Sequence, residues 1–514
     1  GMGGEPGMGG EPGMGGEPII PCAPLPPAGG DAACAVTAGQ GAVVLRGRVL
    51  TPTHALEGGE VLYDANGVLQ CVACNCADHP LRAAATVVTC PEAVISAGLI
   101  NGHDHLTFDQ NRPGRWGDER YEHRHDWRRG LRGHTEINAS GSASREEITW
   151  AELRHVVGGA TSISGAGAAQ GLLRNLDRRN NLEGLPTQQV QLATFPLGDS
   201  SGGLRSRDCG YPELPDNSVL NDEAWSPHVS EGIDAEARNE FLCLSSDMRG
   251  GVDVTEGNGA FIHGVALQAI DGAEMAMDGT ALIWSPRSNI SLYGHTAPVT
   301  MLAAQGVLIG LGTDWTPSGS INMLRELQCA LELDERQYDG YSTPRDLWAM
   351  ATHGVATALA VDRATGSLRP GLAADIAIFD GRGEADPYRA LITSNPGDVV
   401  LVMRGGEVLY GDDPLVESLQ PGCESMGDVC GTAKRVCAQR DAGLSLAALQ
   451  AANRDSYDLF FCDTPQDEPS CVPARSGEFD GQPSPTDADG DGIDDDDDAC
   501  PRVFDPIRPV DGAA

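Results

Sequence analysis

The sequence predicts an α/β protein in which a distorted (β/α)8 TIM barrel is inserted in a small β-sandwich. Three observations predict this fold. Short apolar strands alternate with helices over roughly 250 residues, strand patterns occur on both sides of that region, and the C-terminal region is rich in cysteine and aspartate. The sandwich is expected to combine N- and C-terminal strands, and a Cys-rich appendage follows it.

The predicted domain division follows these changes in composition. It comprises a low-complexity linker at 1–41, an N-terminal sandwich segment at 42–93, the barrel at 94–364, a C-terminal sandwich segment at 365–415, the Cys-rich appendage at 416–485 and an Asp-rich tail at 486–514. The linker opens with three GMGGEP repeats, which are typical of a flexible segment.

The sandwich strands and two helix starts have clear local signals. Strands are predicted at 42–50 and 59–72, with a turn at Asn66-Gly67, and again at 375–379 and 398–409. Ser144 and Glu147 form a capping box that opens a helix to about Val157. Thr343 caps a second helix, which has Pro344 at its first position and runs through Ala351.

The barrel strands are short apolar runs. They are predicted at 94–100, 160–164, 190–195, 224–230, 260–263, 280–285 and 307–312. Two of the eight strands that a closed barrel needs are not clearly placed by these patterns.

The composition excludes some classes of function. The 514 residues include 74 Asp and Glu against 35 Lys and Arg, a formal net charge of −39. Such a surface repels nucleic acid, so no nucleic-acid partner is expected. No stretch approaches the ~18 apolar residues of a membrane-spanning helix.

Fifteen cysteines predict an oxidising compartment and an exported protein, located in the periplasm, on the outer membrane surface or outside the cell. Export, and any cell-envelope attachment as a lipoprotein, would depend on a segment upstream of Gly1. Cys22 in IIPC is a poor lipid-attachment site. Cys71, Cys74, Cys76 and Cys90 could be read as zinc ligands, but disulfides are the favoured interpretation. Cys243 and Cys329 are expected to be buried thiols or disulfide partners.

A set of imidazoles and one carboxylate stands at predicted strand ends. His103 and His105 form an H-x-H pair after the first strand, and both side chains point to one side because strand residues alternate. The further members of the set are His228, His263 and Asp314, with Glu231 three residues after His228. Strand ends converge on one mouth of a barrel. Three neutral imidazoles and a carboxylate suit one Zn²⁺ or Fe²⁺ and leave a position for water.

A second H-x-H pair has a different context. His123 and His125 lie in YEHRHDWRRG, a charged segment with no strand before it. The favoured interpretation is a solvated or substrate-lining loop.

The chain resembles the mononuclear branch of the amidohydrolase superfamily, which contains deaminases and triazine hydrolases. The resemblance spans about residues 42–412 and rests on the ordered His, Glu and Asp pattern, with GLINGHDH at 98–105, PRSN at 286–289, APV at 297–299, LGTD at 311–314 and GLAADIAIFD at 371–380. It implies that His103, His105, His228 and Asp314 hold the metal. It also implies that Asp314 takes a proton from water, that His263 polarises the substrate or the bound hydroxide, and that Glu231 shuttles a proton to the substrate nitrogen or leaving group.

Lysine usage and departures from the family pattern qualify the resemblance. Lys434 is the only lysine, so the barrel lacks the carboxylated lysine that bridges two metals in binuclear relatives. Trp284 replaces a common histidine, Trp315 follows the predicted metal aspartate, and His295 stands where a small residue is usual. Residues 197–223 are predicted to be a long insertion over the mouth of the barrel. The two tryptophans either line an apolar rim of the site or simply pack between the barrel and this insertion.

The tail contains a further motif. Alternating carboxylates at Asp487, Asp489, Asp491 and Asp494 offer the hard oxygen ligands that Ca²⁺ prefers. With the following DDDDACP, this segment resembles a thrombospondin type 3 calcium repeat. A solvated acidic tail is the alternative.

The predicted function is therefore an exported metal-dependent hydrolase that uses an activated water to cleave a C–N bond of a small cyclic or amide molecule, as in deamination. A dechlorinase or esterase on the same barrel is one alternative. A calcium-dependent surface binding protein with an idle barrel is another.

Overall fold

The computed structural model describes residues 19–30 and 32–512, so the predicted GMGGEP linker at 1–18 lies outside the described residues. The strands of the described residues are β1 Ile19–Pro21, β2 Ala35–Thr37, β3 Ala42–Leu50, β4 Ala55–Asp64, β5 Leu69–Ala73, β6 Thr86–Ala97, β7 Leu99–Asn101, β8 Ala160–Ile163, β9 Arg174–Asn175, β10 Gln191–Ala193, β11 Trp225–Val229, β12 Ala260–His263, β13 Ala281–Trp284, β14 Ile309–Leu311, β15 Ile376–Phe379, β16 Val399–Arg404, β17 Glu407–Asp412, β18 Glu424–Val429 and β19 Thr432–Val436.

The helices lie mainly in the long middle region between β7 and β15. They are α1 Arg124–Arg129, α2 Arg145–Val157, α3 Ala235–Leu244, α4 Ala269–Asp278, α5 Pro286–Tyr293, α6 Val299–Ala304, α7 Met323–Gln337, α8 Pro344–Met350, α9 His353–Ala358, α10 Pro387–Ile392, α11 Asp413–Leu419, α12 Ala438–Asp441 and α13 Leu446–Ala452. The predicted caps are confirmed, because Ser144 and Glu147 form a capping box on α2 and Thr343 caps α8 with Pro344 at its first position.

Eight parallel strands, β7 to β14, form a TIM-barrel-like α/β fold. They pair in sequence order as β7-β8-β9 and β10-β11-β12-β13-β14. Backbone hydrogen bonds join the two groups, from Val190 N to Leu176 O at 2.8 Å and from Gly102 N to Leu311 O at 2.9 Å. β9, a two-residue strand without an apolar pattern, has no counterpart among the seven predicted apolar runs.

The prediction of one strand over 94–100 is wrong. The chain breaks at Gly98, where β6 leaves the outer sheet and β7 enters the barrel. A Cβ at Gly98 would lie 2.3 Å from the Thr161 side chain, so only glycine permits this close passage.

The strands from both ends of the chain join one hydrogen-bonded sheet of eleven strands, along the path β1-β4-β3-β6-β15-β16-β17-β19-β18 with β2 and β5 alongside. Ile376 and Ile378 on one face pack in the core of this sheet, whereas Ala377 and Phe379 on the other face pack against barrel residues. The β18–β19 hairpin comes from the predicted appendage and extends this sheet. The two-layered sandwich and the domain division stay predictions.

Seven disulfides cross-link the described residues. The pairs are Cys22–Cys74, Cys34–Cys90, Cys71–Cys76, Cys209–Cys243, Cys329–Cys471, Cys423–Cys437 and Cys430–Cys462. The interpretation of the N-terminal cysteines as disulfides is confirmed. Cys243 and Cys329 each form a disulfide, with Cys209 and Cys471 respectively. Cys500 is free and exposed. Among the described helices, none has the length and apolar character to span a membrane.

The C-terminal segment packs back on the barrel. Arg475 donates to the carbonyl oxygens of Tyr121 and Tyr293, at 3.2 and 2.8 Å, and pairs with Glu122. Val510 N donates to Ile233 O at 3.1 Å, close in sequence to Glu231. The tail therefore contacts the end of the barrel at which the predicted site residues lie.

Candidate metal centre

The structure brings the six predicted barrel residues together at the C-terminal ends of the strands. His103 and His105 follow β7, His228 lies in β11 with Glu231 just after it, His263 ends β12 and Asp314 follows β14. The ends of four strands, or the turns after them, place these six side chains, which is how barrels assemble a mouth.

The nitrogen and oxygen atoms of this cluster face one another. His103 Nε2 lies 3.3 Å and His105 Nε2 3.7 Å from Asp314 Oδ1. His105 Nε2 and His228 Nε2 are 3.2 Å apart. Ligand atoms of His103, His228 and His263 also lie within 4.8 Å of one another, so His263 belongs to the same cluster.

The donor set fits a divalent metal. His103 is fully buried, and its Nδ1 has no hydrogen-bond partner among the described residues, whereas its Nε2 lies 3.3 Å from Asp314 Oδ1. An unpaired buried ring nitrogen is costly unless something binds it. Imidazole nitrogens and one carboxylate oxygen are ligands of Zn²⁺ and Fe²⁺.

Burial keeps the imidazoles neutral, which metal binding requires. It lowers the pKa of His103, of His105 to about 3, and of His228 well below the usual histidine value. Burial alone would favour a protonated Asp314, but its hydrogen-bond contact with His103 lowers the pKa of Asp314 and holds it as a carboxylate.

Three residues of the centre have strained backbones. Ser230, His263 and Asp314 have φ values of 55°, 76° and 55°, the left-handed region that non-glycine residues seldom occupy. Gly312 permits the close approach of β14, because a Cβ there would lie 2.6 Å from His103 N. Such strain persists where the surrounding structure enforces it, commonly at functional sites.

The PRSN motif at the start of α5 orients two members of the centre. Ser288 Oγ donates to Asp314 Oδ2 at 2.6 Å, which leaves Oδ1 facing the histidines. Asn289 Oδ1 lies 3.0 Å from His263 Nδ1. The carbonyl of Ala193 lies 3.3 Å from His228 Nδ1. These contacts fix ring orientation, as supporting hydrogen bonds do in metal sites.

Sequence reasoning missed a buried network beneath the centre. Asp104 Oδ2 accepts from Asn101 Nδ2 at 2.9 Å and from Thr313 Oγ1 at 2.7 Å, and it pairs with His155 Nε2 at 3.1 Å. It therefore joins the turn that carries His103 and His105 to the residue before Asp314. Asn101, Asp104 and Thr313 lie within the GLINGHDH and LGTD segments, but no local pattern indicates that residues 101 and 104 bond to a residue more than 200 positions later.

The surroundings of Glu231 were also missed. Tyr293 Oη donates to Glu231 Oε1 at 2.8 Å, and Trp127 Nε1 donates to Tyr293 Oη at 2.9 Å. Glu231 Oε2 lies 3.7 Å from His263 Nε2 and 4.0 Å from Arg124 Nη1. No sequence periodicity marks Tyr293 or Arg124, because they reach Glu231 from α5 and α1.

The interpretation of His123 and His125 as part of a solvated loop is wrong, whereas the other interpretation, a substrate-lining segment, stays a prediction. Both are buried, at 1% and 0% exposure, and His123 caps α1. His125 Nε2 lies 2.7 Å from Asp199 Oδ2, and His123 Nε2 lies 3.4 Å from Glu240 Oε1. Carboxylates from the insertion and from α3 cover this segment. The residues next to His123 and His125 in the chain give no sign of these distant contacts.

The two tryptophans differ in position. Trp284 is buried in the main core and its Nε1 donates to Thr296 at 2.6 Å, so it does not line the rim. Trp315 is 6% exposed and its ring lies 5.5 Å from Phe108 and 5.3 Å from Trp127 between centroids. His295 is buried with its ring 5.0 Å from that of Phe479, a residue of the C-terminal segment.

Lys434 and the tail carboxylates lie in separate places. Lys434 is buried in the outer sheet, where Nζ donates to Gly397 O at 2.7 Å, to Val399 O at 2.9 Å and to Asp412 at 2.5 Å. In the tail, Asp487, Asp489 and Asp491 bring carboxylate oxygens within 4.8 Å of one another. Asp494 is exposed and is not in that group.

The barrel and the strand-end cluster define a TIM-barrel-like α/β fold with a His-rich candidate site for a divalent metal. Residues 228–409 match the model described as Amidohydrolase family. The match contains His228, Glu231, His263 and Asp314, whereas His103 and His105 precede it.

The chain is similar to named deaminases over a fraction of its length. It is 34% identical over 164 residues to the 5-methylthioadenosine/S-adenosylhomocysteine deaminase of Symbiobacterium thermophilum, which is 29% of this chain. The chain spans 37% of the length of that relative.

Solved structures share the fold over more of the chain. An adenosine deaminase from Xanthomonas campestris with bound zinc aligns with a TM-score of 0.52 and 15% identity, over 85% of this chain and 98% of that one. An atrazine chlorohydrolase from Arthrobacter aurescens complexed with zinc aligns with a TM-score of 0.51 and 21% identity, over 71% and 95%. At these identities the likeness concerns the fold.

Proposed function

We propose that the protein is a metal-dependent hydrolase that cleaves a C–N bond of a small cyclic or amide substrate, with deamination as the leading reaction. The observation that carries the proposal is the meeting of His103, His105, His228 and Asp314 at the barrel mouth, with Glu231 and His263 beside them. The amidohydrolase family match and the deaminase names of the relatives support the C–N bond as the target.

The residues divide into holding and proton-transfer roles. His103, His105, His228 and Asp314 would hold the metal. A divalent cation there would lower the pKa of water and so supply the nucleophile. Asp314 Oδ1 faces the same space and would accept a proton from that water. Glu231 would donate a proton to the leaving nitrogen, and His263, held by Asn289, would polarise the substrate.

Metal content and hydrolysis test these roles together. The full chain, reconstituted with zinc or with iron, is assayed for ammonia release from a panel of amino-substituted heterocycles and amides. Asp314→Ala and His228→Ala are expected to lose bound metal and activity, whereas His54→Ala, outside the cluster, keeps both. Undiminished metal and turnover in the first two variants would end the proposal.

Product analysis separates the alternatives on the same barrel. Deamination releases ammonia, a dechlorinase releases chloride and an esterase releases an alcohol. In each case the product that keeps the attacked carbon gains one oxygen from labelled water. A surface binding protein with an idle barrel would release none of these and would fold and bind ligand equally without barrel metal.

We propose separately that Asp487, Asp489 and Asp491 bind a divalent cation such as calcium. The supporting observation is that Asp489 is 1% exposed and its Oδ2 has no hydrogen-bond partner among the described residues. Burial, with the charge of Asp491, raises the pKa of Asp489 to about 7. Hard oxygen ligands in this arrangement favour calcium. Calorimetric titration of the full chain with calcium, with magnesium for comparison, tests the site, and no heat of binding would exclude it.

We propose an oxidising, exported location on the basis of the seven disulfides. With fourteen of the fifteen cysteines paired, thiol titration of the denatured, unreduced protein should find one free thiol per chain, that of Cys500. Several thiols per chain in protein isolated from its natural host would contradict this location.

A further inference from the structure

Helix α1 carries an arginine, Arg128, with an unusual set of partners. Arg128 stacks on the ring of Phe195, with Cζ 4.2 Å from the ring centroid. Its Nη1 contacts His125 Nδ1 at 2.9 Å and its Nη2 donates to Ser200 O at 3.3 Å. Among the described residues, no Asp or Glu forms an ion pair with it. The side chain is only partly exposed.

The neighbouring Arg124 shows how unusual this is in the same helix. Arg124 Nη2 lies 2.8 Å from Asp199 and 3.1 Å from Glu240, so its buried charge is compensated. Burial and the charge of Arg124 lower the pKa of Arg128 to about 10, so Arg128 is still a cation at neutral pH. An unmatched cation is notable in a chain with a net charge of −39, where carboxylates are plentiful.

Arg128 is linked to the proposed metal centre through Phe195. This ring follows β10 by two residues, and the last residue of β10, Ala193, contacts His228 Nδ1 through its carbonyl. Arg124, one turn earlier in α1, also lies against Phe195, with Cζ 5.3 Å from the ring centroid, and its Nη1 is 4.0 Å from Glu231 Oε2. The guanidinium of Arg128 therefore shares the Phe195 ring with an arginine that reaches the centre.

The other side of α1 faces aromatic rings. Trp127 lies 5.3 Å from Trp315 between centroids, Trp315 lies 5.5 Å from Phe108, and Phe108 lies 6.2 Å from His105 of the metal cluster. This row extends from the metal cluster to the helix that carries Arg128.

We propose that Arg128 binds an anionic substituent, a carboxylate or a phosphate, of the substrate hydrolysed at the metal centre. The inference rests on the proposed function for the identity of that molecule. Two of the five guanidinium N–H groups have protein partners, which leaves donors for a bidentate contact with an anion. Stacking on Phe195 holds the guanidinium plane without using those donors.

Equilibrium binding to the zinc-loaded full chain tests the proposal without turnover. Two pairs of probes differ in charge: benzamide against benzoate for a carboxylate, and inosine against inosine 5′-monophosphate for a phosphate. The variants are Arg128→Gln and, as a matched control, Arg129→Gln. Arg129 is the next residue, is exposed and also donates to Ser200 O, at 2.8 Å.

We expect the wild type to bind the anionic member of at least one pair about tenfold more tightly than the neutral member, as one charge-assisted contact provides. Arg128→Gln should bring that ratio to near one while the neutral probe binds as before, and Arg129→Gln should keep the ratio. The pair that shows the preference identifies carboxylate or phosphate.

Absence of a preference in both pairs, including absence of any binding, would overturn the proposal, as would a preference that survives in Arg128→Gln. If Arg128→Gln has a lower melting temperature than the wild type, Arg128→Lys replaces it, with a reduced but measurable preference expected. A preference that depends on Arg128 in a protein that hydrolyses nothing would defeat the proposed function and support the anion site.

Discussion

Tyr293 Oη donates a 2.8 Å hydrogen bond to Glu231 Oε1 and at the same time accepts one from Trp127. Burial, together with the negative charge of Glu231, raises the pKa of Tyr293 well above its usual value, so the phenol keeps its proton for this bond. One carboxylate oxygen is thereby engaged, and Oε2 is the oxygen that faces His263.

Removing this phenol should slow the reaction more than it weakens substrate binding. We expect Tyr293→Phe to lower kcat about ten- to a hundredfold, because a hydrogen bond to a charged group is lost, with KM and metal content nearly unchanged. Steady-state kinetics on a hydrolysed substrate measure this. Tyr121→Phe is the matched control, since that buried phenol donates to Thr135 O instead. Equal losses in the two variants would show that the effect is structural.

Asp104 should support both stability and metal affinity. Asp104→Ala leaves the donors of Asn101 and Thr313 without their shared acceptor in a fully buried position. We expect a loss of about 3 kcal/mol in the free energy of unfolding and roughly tenfold weaker metal binding. Denaturant unfolding and competitive chelation measure the two effects, and the exposed Asp118→Ala serves as the control. Unchanged metal affinity would contradict the supporting role.

The buried ion pair between Arg174 and Asp375 connects the barrel to the outer sheet. Its two contacts measure 2.8 and 2.9 Å, and Asp375 also accepts from Thr365 and Gly405. Asp375→Ala should cost about 3–5 kcal/mol because it leaves Arg174 buried and unpaired. Glu335→Ala, which breaks the exposed pair with Arg389, should cost less than about 1 kcal/mol. Similar losses in chemical denaturation would contradict this difference.

The same pair predicts a pH dependence. Burial opposes ionisation of Asp375, but the charge and hydrogen bonds of Arg174 outweigh it and lower the pKa of Asp375 below its usual value. Its contribution is therefore fully present above the unfolded pKa of about 4 and is lost as the pH falls through the folded pKa. Thermal unfolding followed from neutral pH to about pH 3 should show a smaller acid-induced loss in Asp375→Asn than in the wild type.

Calcium should stabilise the tail more at high pH. The raised pKa of Asp489 means that, with chelator present, the folded chain favours the protonated acid, so stability increases as the pH falls through about 7. Bound calcium favours the carboxylate, so its stabilising effect should be larger at about pH 8 than at about pH 6. Melting temperatures with calcium and with chelator measure this. Asp489→Asn should reduce the difference, whereas the exposed Asp496→Asn should not.

The clustering of the candidate site residues could be predicted from the sequence, because histidine and aspartate are chemically distinctive and the ends of barrel strands converge. His103, His105, His228, His263 and Asp314 stand where apolar runs stop, and the structure brings them together. Contacts between distant elements left no local trace. Tyr293 and Arg124 reach Glu231 from helices far apart in the chain, and β9 is too short to show a pattern. The charged context of His123 and His125 indicated solvent, whereas Asp199 and Glu240 bury them.

The order of strands in the outer sheet has a consequence for synthesis. β6 pairs with β15, and Ile95 lies opposite Ile378 in this pair. β6 is therefore synthesised before the whole barrel and β15 after it. Until the later strand is translated, one edge of β6 exposes unpaired backbone groups that other chains can bind. Expression of chains truncated before β15 should therefore yield aggregates, and a holding chaperone should raise the yield of full-length protein.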